Sequence, residues 1–145
     1  RSNGNLRELL WIPYGGSKNP YTSEYTYDGT NKVTMNGSEV FKVAVREMGK
    51  AADIVVKEAG LDYSDISLFV PHQANIRIIE AMAKRMNLSM DKVMLNLDKY
   101  GNTSSGSVPL ALDEANRSGR IKPGDNIVMV AFGGGLIWGA AAVKW

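Results

Sequence analysis

The chain has 145 residues, 44% of them hydrophobic, and a formal net charge of +2, which suits one compact domain. So small a charge, with no long run of one sign, argues against a nucleic-acid partner. No stretch approaches the roughly 18 apolar residues of a membrane-spanning helix, which argues against a membrane role.

Cysteine is absent, which excludes a disulfide framework, thiolate zinc sites and a thiol nucleophile within this chain. It also favours a reducing, cytoplasmic setting, and no metal site is expected. Asn36, Asn87, Asn102 and Asn116 all open Asn-x-Ser/Thr triplets, which read as accidents of composition where no signal peptide precedes them. The chain begins Arg1-Ser2-Asn3-Gly4 without a methionine, which suggests a piece of something longer.

Leu6 to Ile12 reads as a short strand. From Pro13 to about Gly37 runs a loop rich in Gly, Ser, Thr and Tyr (Tyr14, Tyr21, Tyr25, Tyr27), of a length usually reserved for lids, binding loops or covers for a neighbour. Residues 1–37 are therefore set apart from a main domain spanning 38–145. From Ser38 or Glu39 to Ala59 the pattern is helical. Val40, Ala44, Met48, Ala51, Val55 and Ala59 make one stripe, and Gly60 ends it.

The strand Ile66–Val70 follows, then a helix from about Gln73 to Met86, the strand Val93–Leu97 and a helix from about Ser105 to Ser118. Strands Ile127–Phe132 and Ile137–Lys144 close the chain across Gly133-Gly134-Gly135. Alternating strands and helices with apolar strands predict an α/β fold whose sheet is mixed and mainly parallel. The last two strands are too close in sequence to be anything but antiparallel.

His72, the only histidine, follows the first buried strand in Val70-Pro71-His72-Gln73-Ala74-Asn75. Asn102 follows the second in Tyr100-Gly101-Asn102-Thr103-Ser104. In an open α/β sheet, side chains just past the carboxyl ends of strands converge on the ligand crevice. A neutral imidazole and a carboxamide aimed at one point can both donate hydrogen bonds to a developing oxyanion. Taken singly, each has a plain alternative: a satisfied, half-buried histidine, and an asparagine chosen for a left-handed turn.

The helix near Ser105 is built from small residues: Ser104, Ser105, Gly106, Ser107 and Ala111. An ordinary serine-capped helix and a helix squeezed between two layers fit this composition equally. On the helix after His72, Arg77 and Lys84 fall within roughly 20° of each other and Arg85 about 80° away. That basic side reads as a solvated face with a Glu80–Lys84 pair, or as a docking surface. A serine hydrolase is disfavoured because Asn102-Thr103-Ser104-Ser105-Gly106 lacks the first glycine of Gly-x-Ser-x-Gly. A dinucleotide site is disfavoured because the glycine triplet comes late in the chain.

Four segments carry a family resemblance: Asn36-Gly37-Ser38-Glu39-Val40-Phe41-Lys42, Val70 to Asn75, Asp98-Lys99-Tyr100-Gly101-Asn102-Thr103-Ser104, and Ala131-Phe132-Gly133-Gly134-Gly135-Leu136-Ile137-Trp138-Gly139. In order and spacing they resemble the C-terminal half of the β-ketoacyl-acyl-carrier-protein synthases III, initiating condensing enzymes of fatty-acid synthesis. The resemblance implies a thiolase-like fold of two similar halves, with the Ser105 helix in a central layer between them. It implies a cysteine, a histidine and an asparagine at the site. His72 and Asn102 match the last two, and the cysteine would sit in an N-terminal half absent here.

It further implies that Gly133 contributes an N–H to the acyl-enzyme oxygen and that Phe132 lines the acyl pocket, though strand-end packing explains Phe132 equally. Asn75, Gly37 and Phe41 would serve the coenzyme A or pantetheine arm. Arg77, Lys84, Arg85 and Lys42 would dock the acyl carrier protein. The implied substrates are acyl-CoA and malonyl-acyl carrier protein, without a further cofactor, in a homodimer. The competing expectations are a non-catalytic thiolase-fold docking module for acyl carrier protein or coenzyme A, and a related condensing enzyme with another acyl group.

Overall fold

Asn3 shapes the start of the chain. In the computed structural model, which describes residues 1–22 and 31–145, the Asn3 side chain accepts the Asn5 N–H at 3.1 Å and caps a 3-10 helix over Gly4–Leu9. A local side-chain bond of this kind competes with extended pairing. The expected strand Leu6–Ile12 therefore shrinks to β1 (Leu10–Trp11), paired antiparallel with β2 (Thr34–Met35). The loop expected over Pro13–Gly37 is thus interrupted by a strand. Its Tyr25 and Tyr27 lie outside the described residues.

The long helix forms as expected, as α1 (Gly37–Glu58). Asn36 caps it by accepting the Glu39 N–H at 3.3 Å. Its stop is a Schellman arrangement: Gly60 takes a left-handed φ of +70° while Gly60 and Leu61 donate to the carbonyls of Lys57 and Val56.

A mixed sheet of three strands follows, in the order β3 (Leu68–Pro71), β4 (Asn126–Gly133), β5 (Ile137–Lys144). β3 and β4 run parallel with Leu68 opposite Ile127, and β4 and β5 antiparallel. Side chains alternate across this sheet. Phe69, Val128 and Val130 pack against Ala44, Met48, Ile79 and Met82, residues of α1 and α2 (Ile76–Arg85). Leu68, Val70 and Ile127 meet Ala111 and Ala115 of α4 (Ser107–Arg117). Helices thus cover both faces. The short helix α3 (Leu97–Tyr100) precedes α4.

The expected strand Val93–Leu97 is reduced to one residue. Val93 bridges Phe69 in parallel, and the Met94 N–H reaches the Phe69 carbonyl at 2.8 Å. The next bond of a parallel ladder would come from the backbone nitrogen of Pro71, which carries no hydrogen. The Gln73 side chain enters that gap instead. Its Nε2 donates to the carbonyls of Pro71 (2.8 Å) and Met94 (3.0 Å), and its Oε1 accepts the Asn96 N–H at 3.0 Å. Leu97 then turns into α3.

α4 places Ser107, Ala111 and Ala115 against the sheet, all buried, while Leu110 on another side is 46% exposed. Small residues at four-residue spacing let the helix lie close to the strands. Pro109 and Leu110 leave a small apolar patch facing outward from the first turn of α4.

Candidate active site

β3 delivers His72. Its N–H continues the parallel ladder by bonding the Val130 carbonyl at 2.8 Å, which fixes the backbone beneath the imidazole. The ring is half-buried, and burial holds its pKa below the ordinary value, so the neutral form dominates at pH 7.

Nδ1 lies against the hydroxyl of Ser107, the first residue of α4. That hydroxyl oxygen also accepts the Gln73 N–H at 3.3 Å, and Ser107 is 1% exposed. Hydrogen-bond accounting then selects a tautomer. If the hydroxyl donates to Nδ1, every polar group in the trio is satisfied and the ring proton sits on Nε2. If Nδ1 carried the proton, the buried hydroxyl hydrogen would lose this acceptor. The first arrangement leaves Nε2–H as the donor.

Asn102 arrives by a different route than a strand end. α3 closes with Gly101 at φ +66°, and exposed Asn102 follows it. Its Oδ1 accepts the Ser104 N–H at 2.9 Å, with Ser104 itself at a left-handed φ of +54°. With Oδ1 engaged, the Nδ2 hydrogens remain as donors. His72 is thus tied to Ser107 and Asn102 to Ser104, positions one helical turn apart at the entry to α4. Both candidates are attached to residues around the start of α4: Ser107 is its first residue, and Ser104 lies in the 3-10 turn Ser104–Gly106 that leads into it.

Gly133 ends β4 opposite Ile137, with nothing within 4 Å of the place a Cβ would occupy. Phe132 packs against the core beneath α1 and α2, in keeping with its strand-end alternative. Asn75 is the N-cap of α2, its Oδ1 accepting the Arg77 N–H at 2.9 Å. Gly37, Phe41 and Lys42 occupy the first two turns of α1, where Lys42 Nζ lies 2.7 Å from Glu39.

Arg77 and Lys84 are exposed on α2. Arg85, also exposed, lies along α1, where its guanidinium pairs with Asp53 and its Cδ, Nε and Cζ occupy the space a side chain on Gly49 would need. A groove at the C-terminal end of α1, lined by Asp53, Val56, Lys57, Leu61 and Tyr63, includes neither His72 nor Asn102. Among the described residues no group of three or more His, Asp or Glu is placed to hold a metal ion, and no helix is long and apolar enough to cross a membrane.

Two residues that support the pair, Gln73 and Ser107, were not among the sequence candidates. The available signal for Gln73 was an amide two residues after a proline that ends a buried strand.

Residues 56–145 match the family described as 3-oxoacyl-[acyl-carrier-protein] synthase III, C terminal. The beta-ketoacyl-[acyl-carrier-protein] synthase III of Clostridioides difficile is 51% identical over 144 residues, an overlap of 99% of this chain and 44% of the relative. The solved structure of the corresponding synthase from Thermus thermophilus superposes with a TM-score of 0.87 at 45% identity, over 100% of this chain and 44% of that one. The priming beta-ketosynthase of the R1128 polyketide pathway gives a TM-score of 0.87 at 35% identity, over 99% of this chain and 42% of that one. The chain spans less than half the length of these relatives.

Proposed function

Because the chain belongs to the 3-oxoacyl-[acyl-carrier-protein] synthase III family through its C-terminal region, we propose that it supplies the decarboxylation half of that family's site. An N-terminal half would supply the cysteine. The observation that carries this reading is the attachment of His72 and Asn102 to one turn at the entry of α4, each with a donor left over.

In the proposed reaction the cysteine thiolate takes an acyl group from acyl-CoA, releasing the coenzyme thiol. Malonyl-acyl carrier protein then enters. Its Cα–carboxylate bond breaks, carbon dioxide leaves, and the electron pair passes to the thioester oxygen as an enolate. His72 Nε2–H and Asn102 Nδ2–H donate to that oxygen, an effect worth about 3–4 kcal/mol for a well-placed donor. An aspartate at position 102 would repel the enolate. The enolate carbon attacks the acyl-cysteine carbonyl, whose oxygen is held in part by the Gly133 N–H. The thiolate departs, leaving a 3-oxoacyl product on the carrier.

Arg77 and Lys84 form the basic face offered to the acidic carrier protein, with Lys42 nearby in role. Arg85 supports the α1–α2 contact through Asp53. Asn75, Gly37 and Phe41 serve the pantetheine arm. The complete enzyme is proposed to act as a cytoplasmic homodimer on these thioesters, without a further cofactor. A docking module would have no use for a half-buried neutral imidazole braced on a serine, which favours the enzyme.

The test uses the full-length polypeptide carrying this chain. Radiolabelled acetyl-CoA should label its cysteine, and malonyl-acyl carrier protein should then give acetoacetyl-carrier. A labelled protein that never decarboxylates malonyl thioesters would make it an acyl transferase of another kind.

A further inference from the structure

We propose that Gln73 is the positioning residue of the oxyanion pair. Its carboxamide, wedged between the end of β3 and segment 94–96, sets the gap between the loops bearing His72 and Asn102. This rests on the reading of His72 and Asn102 as joint donors to one oxygen.

Gln73 is 0% exposed, and every hydrogen of its amide is used. The two Nε2 hydrogens meet the Pro71 and Met94 carbonyls, and Oε1 meets the Asn96 N–H. A direct ladder would hold the two backbones about 4.8 Å apart. Inserting an amide between them pushes the strand ends apart on the side where the site opens.

Both arms of the site start from this amide. On the His72 side the link is the main chain the carboxamide braces: the Gln73 backbone N–H holds the Ser107 hydroxyl that meets His72, and the side-chain bond to the Pro71 carbonyl fixes that backbone. On the other, Oε1 fixes Asn96, itself 2% exposed, whose carbonyl accepts the N–H groups of Lys99 and Tyr100 at 3.1 Å each. Those bonds start α3, and α3 delivers Asn102. Asn96 Nδ2 also reaches Glu114 of α4 at 3.0 Å, which closes the loop on the helix that carries Ser107. A buried network in which every partner is satisfied resists drift, and drift is what two donors sharing one oxygen cannot tolerate.

The test compares Gln73→Glu and Gln73→Met in the full-length polypeptide carrying this chain, with His72→Ala alongside. Once ionised, which burial beside two carbonyls delays to higher pH, Gln73→Glu places an acceptor where the donor nitrogen faced those carbonyls. Its kcat for malonyl-CoA decarboxylation should fall about a hundredfold, as expected for a misplacement near 1 Å, with KM little changed and acyl-cysteine formation far less affected. The rate should recover as pH falls, because a protonated glutamic acid regains one O–H donor. Gln73→Met should show the loss without the recovery.

Wild-type decarboxylation in both variants would overturn the proposal. So would equal loss of acyl transfer and decarboxylation with an unaltered pH profile, or failure of both variants to fold, since either assigns Gln73 to the fold alone. The His72→Ala variant separates the two readings. If it decarboxylates normally, the oxyanion reading fails; if it is inactive while the Gln73 variants are not, only the positioning role fails.

Discussion

The Ser107 hydroxyl touches Nδ1 of His72 while its oxygen accepts the Gln73 N–H at 3.3 Å. One buried oxygen thereby orients the ring and anchors the backbone one residue beyond it. Ser107→Ala leaves both groups without this partner. It should cost about 1–3 kcal/mol, the usual penalty for orphaned buried polar groups, and should mix the imidazole tautomers. Urea unfolding reads the first effect. Nitrogen NMR of the imidazole reads the second without ambiguity, because the chain has a single histidine. An unchanged tautomer in Ser107→Ala would remove the serine from this role.

Burial also sets the direction of a pH effect. The folded-state pKa of His72 lies below the ordinary 6.5, so the unfolded chain binds the proton first. Stability is then intact above about pH 6.5 and is lost as pH falls from there through the folded pKa. An NMR titration of the ring should give a midpoint below 6.5. Relative to His72→Gln, the wild-type chain should lose stability as acid is added over that range. A midpoint above 6.5 would show that a partner, not burial, dominates the site.

The basic residues of α2 should separate by role. Arg77→Glu and Lys84→Glu change exposed side chains and should raise KM for the carrier-protein substrate, in a manner that added salt reproduces. Arg85→Ala should leave that KM nearly unchanged and lower stability, because its partner is Asp53. Kinetics with malonyl-CoA and with malonyl-carrier protein make the comparison. Equal effects of all three variants on the carrier substrate would return Arg85 to the docking face.

The elements that proved legible in the sequence share a local cause. The span of α1 and its Gly60 stop are encoded within a few residues of where they act, although Ala59 of the expected stripe is exposed and Val56 is buried in its place, and β4 and β5 announce themselves by their closeness. His72 and Asn102 stood out as candidates because a neutral imidazole and a carboxamide are among the few side chains able to donate to an oxyanion. The expected strand at Val93–Leu97 failed for a reason outside that segment: Pro71 cannot donate and Gln73 fills the gap, 21 residues away from Met94. Ser107 was hidden similarly, since its partner His72 lies 35 residues upstream. The shortened first strand traces to one asparagine whose side chain bonds its own backbone two residues on.

Exposed apolar surface predicts the behaviour of the chain by itself. Leu110 of α4 is 46% exposed and Ile137 of β5 is 54% exposed, on a chain matching less than half of its relatives' length. The 145-residue chain should self-associate in sedimentation experiments, and Leu110→Lys should reduce this. It should take no label from acetyl-CoA, having no cysteine. A well-behaved monomer would argue that these surfaces need no cover.

Asn102→Asp in the full-length polypeptide keeps the shape of the side chain, removes its N–H donors and places negative charge where the enolate forms. Malonyl-CoA decarboxylation should fall by about 10²–10³, while acetyl-CoA still labels the cysteine. Decarboxylation at the wild-type rate in that variant would contradict the assignment of Asn102, with His72, to the oxyanion.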